Sequence, residues 1–401
     1  MHLTQLRLSG FRNYHQLEIN IGTGLTVFAG ENAQGKSNLL EAVYLLALTK
    51  SHRAENDREV VRFNGHDPVP YTRISGCATL GSGQELRVQV DMALLTQGLS
   101  ASTNLPQNTL QKRIRVNGSP KKAIEAVGVL SAVLFCAEDI GLVYGSPAGR
   151  RRFLDVLLSQ VSHGYLKSLQ AYHKILAQRN HLLRRISDGS AGLEELPFWD
   201  EQLCSQGARI VWERSAVIDE LTPLVSDTHS KIAQGGPLLT MGYGSSVERC
   251  DSLVRTADQL RTRLETYRAR ELRNRVTLVG PHRDDVHFLI DGRSVSRYGS
   301  RGQARTTVLS LRLGEARLIA RMNQDEPILL LDDALAELDL GRQVRVLDLA
   351  RVSNQVLLTA VDADHGIGLE GYATEWYWVN NGSLTKRSLD GIIPDNAISQ
   401  L

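Results

Sequence analysis

Gly30, Gly35, Lys36 and Ser37 stand at the spacing G-x-x-x-x-G-K-S, read in full as Gly30-Glu31-Asn32-Ala33-Gln34-Gly35-Lys36-Ser37 and followed by Asn38. Glycines at these two places let the backbone curl until successive N–H groups converge on phosphate oxygens. An ammonium directly after the second glycine reaches the β and γ phosphates, and the next hydroxyl serves Mg²⁺. The chemistry is binding of a nucleoside triphosphate through residues 30–38, with Ser37 as a metal ligand. Such a loop works only between a strand and a helix. Both are predicted here: residues 25–29 form an apolar strand, and Leu39, Leu40, Val43, Leu46 and Ala47 recur at helical spacing.

Two further groups of residues could complete such a site. In residues 327–333 an apolar run ends in two carboxylates, Asp332 and Asp333. On a buried strand beside the phosphate-loop strand, Asp332 is placed to hold Mg²⁺, directly or through water, and Asp333 to orient the attacking water. The segment Tyr298-Gly299-Ser300-Arg301-Gly302-Gln303 opens a helix carrying Val308, Leu311, Leu313, Leu318 and Ile319 on an apolar face. Ser300 there either offers its hydroxyl and the helix N–H groups to a phosphate or simply caps the helix. Order distinguishes the two readings. A phosphate loop, a helical insertion, a Ser-x-Gly-Gln helix start, a carboxylate strand (Walker B) and then Ala336-Glu337-Leu338-Asp339 are arranged as in an ABC-type ATPase head.

The elements that must position these residues follow from periodicity. Leu17, Ile19 and Ile21 alternate with polar neighbours, and alternation returns over 71–80, 85–92 and 113–116, the last closed by the hairpin pair Asn117-Gly118. An antiparallel β layer is therefore expected beside the nucleotide site. Residues 99–111, rich in Ser, Thr, Asn and Gln, are expected as an exposed loop. One helical period runs through Phe153, Leu157, Leu166, Tyr172 and Leu176, a second over about 198–232, and a third over about 250–272. Strand signals resume at Val276, with 286–290 closed by Asp291-Gly292. The expected organisation is an α/β ABC-type ATPase head (P-loop NTPase) with an inserted helical arm. Residues 1–155 carry the phosphate loop, 156–274 the arm (lobe II), and 275–401 the signature, Walker B and D-loop.

Bulk properties set limits on function. With 46 basic and 44 acidic side chains in 401 residues, the formal charge of +2 means that any nucleic-acid binding must come from a local patch. Candidate patches are Arg150-Arg151-Arg152, Lys112, Arg113 and Arg115 with Lys121-Lys122, Arg184-Arg185, and Arg268, Arg270, Arg273 and Arg275, each equally readable as a solvated face. Residues 49–53 and Arg58 lie nearer the phosphate-loop helix. Cys77, Cys136, Cys204 and Cys250 make no C-x-x-C pair and read as buried thiols of a reducing compartment. The opening residues have no leader pattern, and no apolar run approaches the ~18 residues of a membrane span. A soluble, cytoplasmic protein without membrane contact is expected.

These motifs together resemble the RecF family, bacterial recombination proteins related to SMC-type and ABC ATPases. The resemblance spans nearly the whole chain, carried by Phe11-Arg12-Asn13-Tyr14, residues 30–42, Thr49-Lys50-Ser51-His52-Arg53, Gly145-Ser146-Pro147, Gly280-Pro281-His282-Arg283-Asp284-Asp285 and residues 300–303. It implies ATP and Mg²⁺ as cofactors, catalytic roles for Lys36, Asp332 and Asp333, and nucleotide contacts from Ser300, Gly302 and Gln303 across an ATP-dependent homodimer. It further implies a weak, DNA-stimulated ATPase that binds duplex DNA next to single-strand gaps and assists RecA loading with RecR and RecO. Some positions depart from the ABC pattern. Gly299 and Arg301 flank the signature serine, Asp333 stands where glutamate is usual, and slow hydrolysis is expected from the shorter carboxylate. Glu138-Asp139 is assigned to the Q-loop by position, and Thr359 follows the strand where a switch histidine is common, with His365 farther along. A transporter ATPase subunit, a small-molecule phosphotransferase and an SMC-like structural clamp are the rival readings. The oligomeric state with and without ATP and duplex DNA separates them.

Overall fold

Short, wholly apolar strands that are covered on both faces must sit inside a parallel sheet. Ile328–Leu331 is buried at every residue, as is Ala132–Phe135. The computed structural model, which describes residues 1–62, 70–99, 106–336, 338–361, 369 and 371–387, places both in a six-stranded sheet. Its order is Ser383–Arg387, Ala373–Asn380, Gly24–Ala29, Gln355–Ala360, Ile328–Leu331, Ala132–Phe135. All neighbours are parallel except the edge hairpin formed by the first two. The phosphate-loop strand and the carboxylate strand thus flank one common neighbour, Gln355–Ala360.

The expected antiparallel layer is a second six-stranded sheet, ordered Tyr14–Asn20, His2–Phe11, Tyr71–Thr79, Glu85–Leu99, Pro106–Val116, Ser119–Lys121. Helix Lys36–Leu48 packs against strands of both sheets. That position explains its sequence: ten of its thirteen residues are buried, so apolar side chains are needed on nearly every face. Its buried Glu41 is neutralised by Arg12, at 2.6 and 2.9 Å, and accepts from Ser51 Oγ at 2.5 Å. Three hairpins turn on Asn117-Gly118, Asp291-Gly292 and Asn381-Gly382, each with both residues at positive φ as a type I′ turn requires.

Two local expectations are corrected. Of the loop expected at 99–111, residues 106–111 belong to strand Pro106–Val116, paired in register with Glu85–Leu99, for example Leu94 with Leu110. Residues 100–105 lie outside the described residues. Polar composition misled here because the backbone of a paired strand is satisfied by its neighbour whatever its side chains are. The first helical period is two helices, Pro147–Val161 and His163–Ser187, separated at Ser162, whose Oγ accepts from Tyr165 N at 3.0 Å. The apolar spacing continues across this cap, so periodicity alone reads it as one helix. The later helices are Leu196–Ala233, with Pro223 inside it, and Leu253–Asn274. Cys136 and Cys204 are buried, whereas Cys77 and Cys250 are only half-buried. Among the described residues no helix is long and apolar enough to cross a membrane.

The chain divides into two compact units, one of residues 1–139, 231–233 and 312–401, the other of 140–230 and 234–311. The joins differ from those expected near 155 and 275. Local pairing accounts for this: Asp285–Ile290 pairs with Leu239–Gly244, and Arg150 grips Asp285 through bonds of 2.6 and 2.9 Å. Residues on either side of the helical segment are thereby knitted into it. Its interior holds a buried polar centre in which Arg179, with no exposed surface, donates to Asp200, Thr277 and Glu271 at 2.7 to 2.8 Å.

Candidate nucleotide site

The phosphate loop folds where its glycines must be. Gly30 lies at φ 152° with Val379 O only 2.4 Å from where a Cβ would stand, and Gly35 at φ 113° with the Asn13 side chain 2.5 Å from its own. Any other residue at either position would collide with a neighbouring strand or turn. The loop is braced from outside. Asn13 Nδ2 donates to Gln34 O at 2.9 Å, Asn38 Nδ2 donates to Asn13 Oδ1 at 2.8 Å, and Tyr14 OH donates to Gly35 O at 3.0 Å. From the other side Asn381 N donates to Gln34 Oε1 at 2.7 Å and Gly382 N to Gln34 O at 3.1 Å. Lys36 Nζ donates to Gly30 O and Glu31 O, both at 2.7 Å, so its ammonium lies within the curl. Burial lowers the Lys36 pKa, and the nearby Asp333 and Asp332 carboxylates oppose that shift. Glycine at the N-cap of helix Lys36–Leu48 offers no side chain to its leading N–H groups, which suits an anion.

The carboxylate strand delivers Asp332 to the loop. Ser37 Oγ donates to Asp332 Oδ1 at 2.8 Å, joining residues 295 apart in the chain. Two oxygens at that spacing match adjacent corners of an Mg²⁺ octahedron, whose ~2.1 Å ligand bonds put neighbouring oxygens about 2.9 Å apart. The donor set therefore fits Mg²⁺, with phosphate and water able to fill the other corners. Asp333 has left-handed backbone, φ 49°, and among the described residues its buried Oδ1 has no hydrogen-bond partner. Burial pushes its pKa up, and the neighbouring Asp332 adds to the rise. Thr359 links the pair: its Oγ donates to Asp332 Oδ1 at 2.7 Å and accepts from Asp333 N at 2.9 Å.

The structure thus brings residues 30–38, Asp332 and Asp333 together. Ser300, Gly302 and Gln303 belong to the other compact unit, at the start of helix Arg301–Asn323. All three are exposed. Ser300 N donates to Gln303 Oε1 at 2.8 Å and Gln303 N to Ser300 Oγ at 3.2 Å, a reciprocal capping box that holds the serine outward at the helix tip. Ser300 therefore caps its helix, and it does so at an exposed tip.

Several candidates are structural instead. Arg150 is buried against Asp285 and the carbonyls of Leu142 and Gly145, and Arg151 donates to Asp284 O. Lys112 is bound to Asp57 and to Thr49 O, and Arg115 shares Asp91 with Arg73. Asp139, assigned with Glu138 to the Q-loop, is held by Arg312 at 2.6 and 3.0 Å and accepts from Cys136 N, which leaves the exposed Glu138 as the freer carboxylate. His282 is bonded through both ring nitrogens, to Tyr172 OH and Thr277 O, and burial lowers its pKa to about 4. Asp284 accepts from Tyr243, Ser245 and Ser246. The residues 280–285 are accordingly a folding knot. Arg113 and Arg152 are exposed, while Glu337 and His365 lie outside the described residues. Sequence reasoning missed the bracing roles of Asn13, Tyr14 and the 381–382 turn. It noted Thr359 only as a residue in an unexpected place.

Comparison with known proteins agrees with this architecture. The family described as RecF/RecN/SMC N terminal domain matches residues 2–368. The DNA replication and repair protein RecF of Roseiflexus castenholzii is 40% identical over 375 residues, which cover 91% of this chain and 94% of that protein. A solved structure of the recombination mediator protein RecF-ATP in the RecFOR pathway is similar at TM-score 0.83 and 29% identity, covering 96% of this chain and 98% of that one. An Smc head bound to the C-winged helix domain of ScpA is similar in fold, at TM-score 0.54 and 14% identity, over 98% of this chain and 100% of that one. The α/β ABC-type ATPase head expected from the order of motifs is the fold of this chain.

Proposed function

The chain belongs to the RecF family of DNA replication and repair proteins, and from that premise we propose that it is an ATP-dependent DNA-binding protein of recombinational repair. In this reading ATP occupies residues 30–38, with Lys36 on the β and γ phosphates, and Ser37 and Asp332 would hold Mg²⁺. Asp333 orients the attacking water. Ser300, Gly302 and Gln303 of a second copy close on the γ-phosphate, so that ATP drives a homodimer. The dimer holds duplex DNA beside single-strand gaps and, with RecR and RecO, assists RecA loading. Its ATPase is weak and stimulated by DNA; the short, strained Asp333 limits the rate.

One observation supports this reading most: the 2.8 Å bond between Ser37 and Asp332, in a chain whose relatives include a RecF-ATP structure. The test is light scattering of the chain alone, with ATP, and with ATP plus gapped duplex, beside a Lys36→Ala variant. The mass should double with ATP in the wild type only, and gapped duplex should raise phosphate release. A chain that stays monomeric with ATP and DNA, or a Lys36→Ala variant that binds ATP as well as wild type, overturns the reading.

A further inference from the structure

The strand Gln355–Ala360 pairs with both the phosphate-loop strand and the carboxylate strand, with Thr359 beside Phe28 and Leu358 beside Leu331. Its hydroxyl therefore emerges where the carboxylate strand ends. Thr359 is 3% exposed, and the nature of its two partners fixes the direction of both bonds. A carboxylate can only accept, so the single hydroxyl proton goes to Asp332 Oδ1 at 2.7 Å. A peptide N–H can only donate, so Asp333 N spends its proton on the same oxygen at 2.9 Å. The first bond, with that from Ser37, puts two donors on one Asp332 oxygen and fixes the carboxylate's orientation. The second anchors Asp333 in a left-handed backbone, φ 49°, a region uncommon for residues other than glycine. Its Oδ1 has no partner among the described residues.

We propose that Thr359 is a positioning residue that divides the work between the two carboxylates, fixing Asp332 as the metal ligand and holding Asp333 turned toward the water. The proposal rests on the reading of residues 30–38 and Asp332 as an Mg²⁺–ATP site. Thr359 stands behind a ligand, and loss of such a partner typically lowers metal affinity by about 10- to 100-fold.

The test uses Thr359→Val, which keeps shape and removes the hydroxyl, and Thr359→Ser, which keeps the hydroxyl. Binding of a fluorescent ATP analogue is titrated against Mg²⁺ and repeated in EDTA, with phosphate release measured alongside. Thr359→Val should shift the Mg²⁺ midpoint upward by roughly tenfold or more and lower kcat, while binding in EDTA stays at the wild-type value. Thr359→Ser should recover both. A wild-type Mg²⁺ midpoint in Thr359→Val overturns the proposal. So does a Thr359→Ser variant as impaired as Thr359→Val, since packing of the methyl group would then be the cause. Should Thr359→Val not fold, Thr359→Ala removes the same hydroxyl and is read by the same criteria. Failure of the underlying site is seen separately, as wild-type nucleotide binding that is indifferent to Mg²⁺.

Discussion

At the scale of single residues the site depends on charges that the fold makes uncomfortable. Asp333 is pushed toward its neutral form chiefly by burial and then by Asp332, while Lys36 pulls the other way. The sign of the linked stability follows. A carboxyl whose folded pKa is raised binds more protons in the native state, so its contribution is favourable in acid and is lost as pH climbs from the ordinary aspartate range through the raised value. Asp333→Asn should therefore melt at a higher temperature than wild type at neutral pH, and the gap should close near pH ~4. The same variant should bind ATP and hydrolyse it poorly. Thermal melts across pH, paired with phosphate release, check both halves. Equal turnover in the variant would move the water-orienting role elsewhere, with Glu138 next in line.

At the scale of elements, turns and helix ends do the positioning. The phosphate loop is clamped between the Asn13-Tyr14 turn and the Asn381-Gly382 hairpin, so the two chain ends of the first unit cooperate on one six-residue curl. The helix Arg301–Asn323 presents Ser300 at an exposed tip stiffened by its capping box. If that tip serves a second copy, Ser300→Arg should block closure by bulk and charge while leaving Lys36 and Ser37 free. Near-normal ATP binding is expected, with the ATP-induced dimer and hydrolysis both lost. Light scattering beside nucleotide titration reads this. Dimerisation of the variant on ATP would refute a site completed in trans, and loss of ATP binding would place Ser300 in its own chain's nucleotide site or in folding.

At the scale of the whole molecule, the inserted unit has a buried cluster of charges. Arg179 there faces Asp200 and Glu271, with Thr277 as a third partner, all at 0 to 5% exposure. Truncating Arg179 leaves the buried Glu271 without its cation and Asp200 with only Arg268, at 3.3 Å, and breaking such a buried pair costs about 3–5 kcal/mol. Arg179→Ala should accordingly show a large fall in melting temperature and early hydrogen exchange in helices His163–Ser187 and Leu253–Asn274. Exchange no faster than wild type in those helices would show the cluster to be dispensable. With a formal charge of only +2, the molecule offers DNA no general attraction, and structural pairing of Arg150, Arg151, Lys112 and Arg115 narrows the local sources further.

The nucleotide loop, its strand and helix, the carboxylate strand and the Asn117-Gly118 and Asp291-Gly292 hairpin turns were legible in the chain because each is a local pattern. The curl needs Gly30 and Gly35 where they stand, the type I′ turns need Asn-Gly or Asp-Gly, and a doubly buried strand needs an unbroken apolar run. The family was equally legible, because the order of short motifs survives without knowledge of contacts. The partners of each polar side chain could not be read this way. Arg150 and Lys112 looked like free cations until Asp285 and Asp57 came to meet them, and His282 and Asp284 proved to be folding residues. Residues 106–111 looked like loop because pairing with the preceding strand, Glu85–Leu99, leaves no trace in composition. Thr359 carries no signal of its own. It matters only because a parallel sheet sets its strand between two others, bringing a hydroxyl to carboxylates 26 and 27 residues earlier in the chain. Local pattern fixes which elements form, whereas hydrogen bonds between distant residues exist only once the sheet has closed.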